Sequence, residues 1–342
     1  MKRIKQANTL SECLYDFFTN HLSLIRGMSP HTIHSYRDTL VLLLRFVATR
    51  EKTSVIKIDI ENITPKIIVA FLQYLEEERK NSTTTRNVRL AAIHAFARFM
   101  AEKKPIQLEQ CQRILAVPFK RTITRPIEYL EYEELQGVFA TIKRTSVDGR
   151  RDYALFVTLF NTGARTQEIL DLRAFDLQLI KPFQLRLRGK GRKERICPLW
   201  PQTASLLKEL LQEQKIDSQS NEYIFRNHRG HQLTRYGLRY LLTKYFDLAR
   251  SSNPTMKNKR LHPHSIRHSS AVHLLKSGVD ITTISQWLGH NSLETTNRYA
   301  TVDLDMKRNA LSKINPLDKK GSGKNGPAWI KHESVLTWLE SL

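Results

Sequence analysis

The chain has 342 residues, about twice the length of a common domain, so two domains are expected. Its 40% hydrophobic and 26% charged residues are ordinary for a globular protein, but 55 Lys and Arg stand against 33 Asp and Glu, a net charge of +22. No run approaches 18 apolar residues, which excludes a membrane-spanning helix, and the basic start Met1-Lys2-Arg3 lacks the apolar core of a secretory leader. Cys13, Cys111 and Cys197 lie far apart, without Cys-x-x-Cys spacing, so neither a disulfide framework nor a zinc ribbon is expected and a cytoplasmic location is.

An excess of positive charge this large calls for a polyanionic partner. An anionic membrane would want a polybasic block or a basic amphipathic anchor, and here the charge is spread. Residues 1–120 carry +8 and residues 121–342 carry +14. Both halves are cationic, as expected of a protein that surrounds a DNA duplex.

In chain order, Thr9 is read as the cap of a first helix through Leu10, Cys13, Leu14, Phe17 and Phe18. Ser29-Pro30 places a cap before a proline at the first helical position, and Ile33, Tyr36, Leu40, Leu43, Leu44 and Val47 follow on one face. Thr64-Pro65 repeats the signal ahead of Ile68, Phe71, Leu72 and Leu75. A fourth helix begins near Ser82 with Val88, Ile93, Phe96 and Met100; its polar face holds Arg86 and Arg89, read either as solvated charge or as phosphate contacts. Prolines and charges without helical period between residues 101 and 128 suggest a linker, with the domain boundary at 115–128 and the linker proper at 116–128.

The second domain, residues 129–315, opens on an acidic helix start at Glu131, Glu133 and Glu134, then a helix from about Arg151 to Asn161. Phe183, Leu185 and Leu187 alternate with polar residues as a half-buried strand, Gly189-Lys190-Gly191 turns, and Arg195 to Leu199 returns. Tyr223-Ile224-Phe225 reads as a third strand, and the remainder as helix to about residue 315. Residues 316–342 form a Gly- and Lys-rich linker and a short amphipathic tail with Val335, Leu336, Leu339 and Leu342 on one face. The fold expected is thus mostly α with a small antiparallel sheet: a helical amino-terminal domain followed by a mixed α/β domain.

Five segments concentrate residues suited to a phosphodiester: Thr162-Gly163-Ala164-Arg165 with Glu168 three positions on; Lys190 between its glycines; His264 and Arg267 at i, i+3; Leu288-Gly289-His290; and Tyr299 nine residues later. Singly, each has a plain explanation. Arg165 suits a surface ion pair with Glu168 or Asp171, Lys190 a polar turn, His264 and His290 satisfied or capping histidines, and Tyr299 a core aromatic.

Together, in this order, they resemble the tyrosine recombinase (phage integrase) family over nearly the whole chain. The resemblance implies a C-shaped clamp on DNA: a core-type DNA-binding domain over residues 1–115 and a catalytic domain after 128. It implies Arg165, Lys190, His264, Arg267, His290 and Tyr299 as the catalytic set, with Glu168 supporting the His264 side of the site from behind. Ser269-Ser270, where bulkier residues are common, and Ala300 after the tyrosine are small departures that leave the chemistry untouched.

The residue types suit the reaction. Two arginines offer planar forks of donors to the phosphate oxygens, on which attack builds charge. By resemblance, Tyr299 attacks as a phenolate and forms a 3′-phosphotyrosine, Lys190 protonates the departing 5′-oxygen, and the histidines add hydrogen bonds or carry the tyrosine's proton. The bond energy stays in the phosphotyrosine link, so no cofactor, metal or ATP is expected.

Rivals exist for single roles. Lys193 competes with Lys190, and Tyr223, Tyr236, Tyr240 and Tyr245 with Tyr299. His262 and His268 are read as core or capping residues, and a metal site built from His262, His264 and His268 lacks carboxylate or thiolate support. A helix over Leu233 to Arg250 places Arg235 and Arg239 at i, i+4, a pattern fit for a major groove or for solvent. The family implies a homotetramer on paired double-stranded DNA sites with the carboxy-terminal tail docked on a neighbour, and an accessory DNA-bending protein is a further candidate partner. Against recombination stand relaxation of the type IB topoisomerase kind, a silent DNA-binding protein, and a metal-dependent transposase.

Overall fold

The computed structural model describes residues 8–122, 127–189, 193–290 and 292–300. The chain divides into two compact units, residues 1–124 and 125–342.

The first unit is helical throughout. Helix α1 (Thr9–Asp16) runs on into a π-helical stretch, Phe17–Ile25. Its cap is Asn8 and not Thr9: Asn8 Oδ1 accepts from the Ser11 amide at 2.9 Å while Asn8 Nδ2 donates to the Ile58 carbonyl at 2.5 Å. The second bond ties the helix start to a distant loop. The sequence places the next three starts correctly. Ser29, Thr64 and Ser82 cap α2 (Pro30–Arg50), α3 (Pro65–Glu77) and α4 (Thr83–Lys103), with prolines opening the first two.

On α4 the inward face is Leu90, Ile93, Phe96, Ala97 and Met100, whereas Val88 faces out. Phe17, Phe71 and Phe99 sit at the centre of the core with Leu43, Val47 and Ile68. Residues 101–115, expected as irregular chain, instead contain α5 (Leu108–Leu115), whose Cys111 and Ile114 are fully buried in the same core. Two buried side chains one turn apart suffice to dock so short a helix, although they are too few to announce it in the sequence. Beyond it, Lys120 is bound to the first unit by its backbone to Asn87 and by its ammonium to Glu76.

The second unit surrounds a larger core with α6 (Tyr132–Ala140), α7 (Val147–Thr162), α8 (Thr166–Leu170), α9 (Pro201–Glu213), α10 (Arg235–Ser252), α11 (Pro263–Lys276), α12 (Ile281–Leu288) and α13 (Leu293–Ala300). Helix α7 begins four residues before the sequence suggests, under a Ser146 cap, and is buried along nearly its whole length. A helix covered on all sides shows little amphipathic period, which hid its first turn.

The sheet is antiparallel, in order β1 (Leu177–Gln178), β2 (Gln184–Arg188), β3 (Glu194–Pro198). Leu185 lies opposite Cys197 and Leu187 opposite Arg195, with Leu185, Leu187 and Cys197 buried on the inner face. The third strand is therefore Leu177–Gln178 and not Tyr223-Ile224-Phe225. Tyr223 makes one isolated bridge to Arg173, while Ile224 and Phe225 are core residues in a loop. Three consecutive β-prone residues mimic a strand whenever a loop is buried.

Among the described residues no helix is long and apolar enough to cross a membrane. Lys190 and the carboxy-terminal tail, including the amphipathic segment from Val335 to Leu342, lie outside the described residues.

Candidate active site

The site gathers at the end of α12. Helix α7 stops at Gly163, whose backbone is left-handed (φ 57°). A side chain there would bring a Cβ to 2.5 Å from Leu288 Cδ2, so glycine alone lets the two helix ends meet this closely. The freed Gly163 carbonyl accepts Nη1 of Arg267 at 2.5 Å, and Nη2 of Arg267 donates to the Leu288 carbonyl at 2.7 Å. Arg267 is 5% exposed. Burial, then the charge of Arg165, lowers its pKa to about 10, so it remains cationic at neutral pH.

Arg165 precedes α8 in extended backbone, and its Nη2 donates to the Gly289 carbonyl at 2.8 Å. Its Nη1 donates to Glu168 Oε1 at 2.7 Å, and its backbone amide to Oε2 at 2.8 Å. Arg195 on β3 donates Nη2 to Glu168 Oε2 at 2.7 Å and Nε to the Trp287 carbonyl at 2.8 Å. Burial alone would raise the Glu168 carboxyl. The hydrogen bond and charge of Arg195, joined by the Arg165 amide and guanidinium, hold it at about 2 instead.

Glu168 thus braces two arginines, which differs from the expected support of the HxxR histidine. Both its oxygens are taken by Arg165 and Arg195. Arg195 is the residue that the sequence reading missed. Strand alternation marks it only as a side chain opposite Leu187, and its partners lie 27 and 92 positions away.

The HxxR pair divides in two directions. Arg267 points inward, while His264 is exposed on the first turn of α11, behind the His262 cap that accepts its amide at 3.2 Å. The rings of His262, His264 and His268 stand 6.0–6.4 Å apart. Among the described residues no group of three or more His, Cys, Asp or Glu is placed to hold a metal ion.

Gly289, also left-handed (φ 62°), turns the chain from α12 to His290. His290 Nδ1 shares a 2.7 Å hydrogen bond with Thr296 Oγ1, and its ring lies nearly parallel to Tyr299 at 6.3 Å. Burial, then Arg267, Arg165 and Arg195, lowers His290 to about 4, so its ring is neutral at pH 7.

Tyr299 is 2% exposed, packed with Ala271, Val272, Leu275, Ile284 and Leu288. Its hydroxyl lies 2.9 Å from Nδ1 of His268, a residue expected to serve only the core or a cap. Helical spacing contains the signal, since His268 is i+4 from His264 and so shares its face. Burial raises the Tyr299 phenol above its ordinary value, although Arg267, Arg298 and Arg165 pull the other way. The resting nucleophile candidate is therefore a protonated phenol.

The structure thus brings Arg165, Arg267, His290 and Tyr299 together, with His264 at the rim and Lys190 beyond the described residues. The candidate DNA contacts fall elsewhere. Arg235, bonded to Gln167, and Arg239 are exposed on the first turns of α10 beside Tyr236 and Tyr240. Arg86 and Arg89 are half-buried, and Arg86 donates to the Pro118 carbonyl at 3.2 Å.

Residues 128–305 match the phage integrase family, and residues 16–104 match its N-terminal SAM-like domain. A putative integrase/recombinase, y4rC of Sinorhizobium fredii, is 38% identical over 98% of both chains. The tyrosine recombinase XerC of Oceanobacillus iheyensis is 31% identical over 89% of this chain and 96% of its own. In fold the chain is similar to the Tn1549 transposon integrase solved with transposon right-end DNA, at a TM-score of 0.67 and 16% identity over 88% of this chain and 98% of that one. It is also similar to the XerH recombinase bound to its difH substrate, at 0.64 and 23% over 88% and 87%. The chain belongs to the phage integrase family, the tyrosine recombinases, enzymes that cut and rejoin DNA strands at specific sites.

Proposed function

We propose that this protein recombines double-stranded DNA with Tyr299 as nucleophile and Arg165, Lys190, His264, Arg267 and His290 as its catalytic partners. One observation carries the reading: a buried tyrosine at the end of the chain's last described helix lies within the field of two guanidinium groups anchored to the Leu288 and Gly289 carbonyls. Such a grouping suits an anionic centre that gains charge on attack.

In the proposed reaction, Tyr299 Oη bonds to phosphorus, the bond to the 5′-oxygen breaks, and Lys190 protonates that oxygen. Arg165 and Arg267 hold the equatorial oxygens, and His264 and His290 donate or accept hydrogen bonds at the rim. The incoming 5′-hydroxyl of another strand reverses the step. Glu168 and Arg195 act behind this layer as positioning residues. Arg235 and Arg239 are proposed to face a DNA groove, while Arg86 and Arg89 contribute to phosphate contact in the first unit.

Recombination of two sites requires several protomers, so the working assembly is proposed to be a homotetramer on synapsed DNA, with the tail after Asn315 docked on a neighbour. A chain ending at Asn315 should then bind single sites yet lose cooperative synapsis, and retained synapsis would refute tail exchange. An accessory DNA-bending protein and a cytoplasmic, nucleoid-associated location belong to the same proposal.

The deciding experiment traps covalent complexes by denaturing lysis of cells making wild type or Tyr299→Phe, then sequences the attached DNA. Attachment to wild type alone supports the nucleophile and reveals the target. Equal attachment to both moves the role to another tyrosine. Relaxation of plasmid without a specific site would favour the topoisomerase reading.

A further inference from the structure

We propose that His268 takes the proton of Tyr299 during strand cleavage and returns it during rejoining. The proposal rests on the reading of Tyr299 as nucleophile and adds a residue outside its partner set. Its ground is contact: His268 Nδ1 stands 2.9 Å from the phenolic oxygen, within hydrogen-bonding distance of the reacting atom. The rings meet at 5.7 Å and 55°, so the imidazole edge addresses the hydroxyl. His290, by contrast, lies flat beside Tyr299, and its Nδ1 is engaged by Thr296. Of the histidines around the tyrosine, the one with a ring nitrogen on the hydroxyl is His268.

Its surroundings keep the ring ready to accept. Burial first, then His262, His264 and Arg267 from its own helix and cap, and Arg298 from α13, lower His268 to about 4. It is unprotonated at neutral pH, with Nδ1 available if the proton resides on Nε2. Burial likewise keeps Tyr299 protonated. At rest the proton stays on oxygen, as a wide gap in basicity requires. An incoming phosphodiester brings negative charge against the imidazole, which favours its cation, and bonding to phosphorus strips the phenolic oxygen of its basicity.

The accounting closes without another reagent. Oη–P forms as P–O5′ breaks, the phenolic proton passes to His268 Nδ1, and Lys190 supplies the proton to the 5′-oxygen. On rejoining, P–O5′ forms, Oη–P breaks and the imidazolium returns its proton to Oη.

The test uses the full-length protein and a nicked duplex bearing the target recovered with covalent trapping, read in single turnover. In His268→Asn the amide oxygen can still receive the hydroxyl but cannot take its proton at pH 7. Cleavage should fall roughly 100- to 10,000-fold, the usual contribution of a positioned base, with binding of the duplex intact. Two readouts separate a base from a packing role. The H268N rate should climb about tenfold per pH unit between pH 7 and 9, because attack then depends on phenolate formed in solution. Difluorotyrosine at position 299 should restore much of the H268N loss while changing wild type little.

A 5′-bridging phosphorothiolate, whose leaving group needs no proton, should leave the H268N defect in place. Cleavage by H268N within a few-fold of wild type, or a loss that neither pH nor difluorotyrosine relieves, overturns the proposal. Covalent attachment in Tyr299→Phe would instead overturn the nucleophile assignment, whatever His268 does.

Discussion

Arg165 and Arg267 donate to consecutive peptide carbonyls, Gly289 at 2.8 Å and Leu288 at 2.7 Å. Their segments lie about a hundred residues apart in sequence, yet both forks are fixed on the last turn of one helix. The carbonyl end of a helix carries partial negative charge, which offsets the repulsion between two cations placed side by side. The arrangement leaves the arginines rigid before any phosphate arrives, the condition under which fixed charges lower a barrier most.

That rigidity predicts that lysine cannot replace Arg267. An ammonium is a point donor and cannot span the Gly163 and Leu288 carbonyls while also addressing a phosphate. Arg267→Lys should therefore bind its DNA site within a few-fold of wild type but form the covalent complex about 100- to 1,000-fold more slowly. Single-turnover cleavage against a gel-shift control measures both.

The Glu168 carboxylate should link stability to pH. Its pKa falls from an ordinary 4.5 to about 2 in the folded protein. The stabilisation is complete above about 4.5 and is lost as pH falls from there through about 2. It amounts to on the order of 3 kcal/mol. Glu168→Gln should flatten this part of the profile and lower stability at pH 7, because Arg195 then keeps its burial without its counter-charge. Urea unfolding from pH 7 to pH 3 checks it, and parallel curves for the two proteins would contradict it.

Gly163→Ala should damage fold and chemistry together. Left-handed backbone costs an alanine about 1–2 kcal/mol, and its Cβ would meet Leu288 at 2.5 Å. A melting temperature lower by about 2–8 °C is expected, from about 2–4 °C per kcal/mol in a domain of this size. Cleavage should fall as well, since the carbonyl that holds Arg267 sits on the displaced residue.

Arg239→Ala examines the exposed turn of α10. With Tyr236, Tyr240 and Arg235 beside it, Arg239 projects from a helix face that the protein itself does not cover. Site-specific binding should weaken more than nonspecific binding, by about 1–3 kcal/mol, in titrations at one salt concentration. Equal losses on both would return Arg239 to a plain cationic surface.

Much of this site was legible in the sequence, because a polar residue with a fixed job keeps its neighbours in order. Gly163 before Arg165, Gly289 before His290 and the i, i+3 spacing of His264 and Arg267 all mark local geometry, and local geometry is what a linear reading resolves. The cap-proline pairs at Ser29 and Thr64 were readable for the same reason. Arg195 and the true use of Glu168 were not, since their partners are defined only by tertiary approach. His268 reads in the sequence as a core or capping residue, because its contact with the Tyr299 hydroxyl, 31 positions on, exists only in the folded chain. The strand at Leu177–Gln178 is too short to show alternation, while the buried loop at Tyr223-Ile224-Phe225 is apolar enough to imitate one.

The bonds that assemble the site span 104, 124 and 92 positions, from Arg267 to Gly163, Arg165 to Gly289 and Arg195 to Trp287. A ribosome therefore makes Arg165 and Arg267 before the Leu288 and Gly289 carbonyls that anchor them. A chain interrupted ahead of residue 288 carries much of the positive charge, but it lacks Tyr299 and the Leu288 and Gly289 carbonyls, leaving Arg267 only its bond to Gly163. The groups proposed to cut DNA are thus complete only once the segment from Leu288 to Tyr299 has been made.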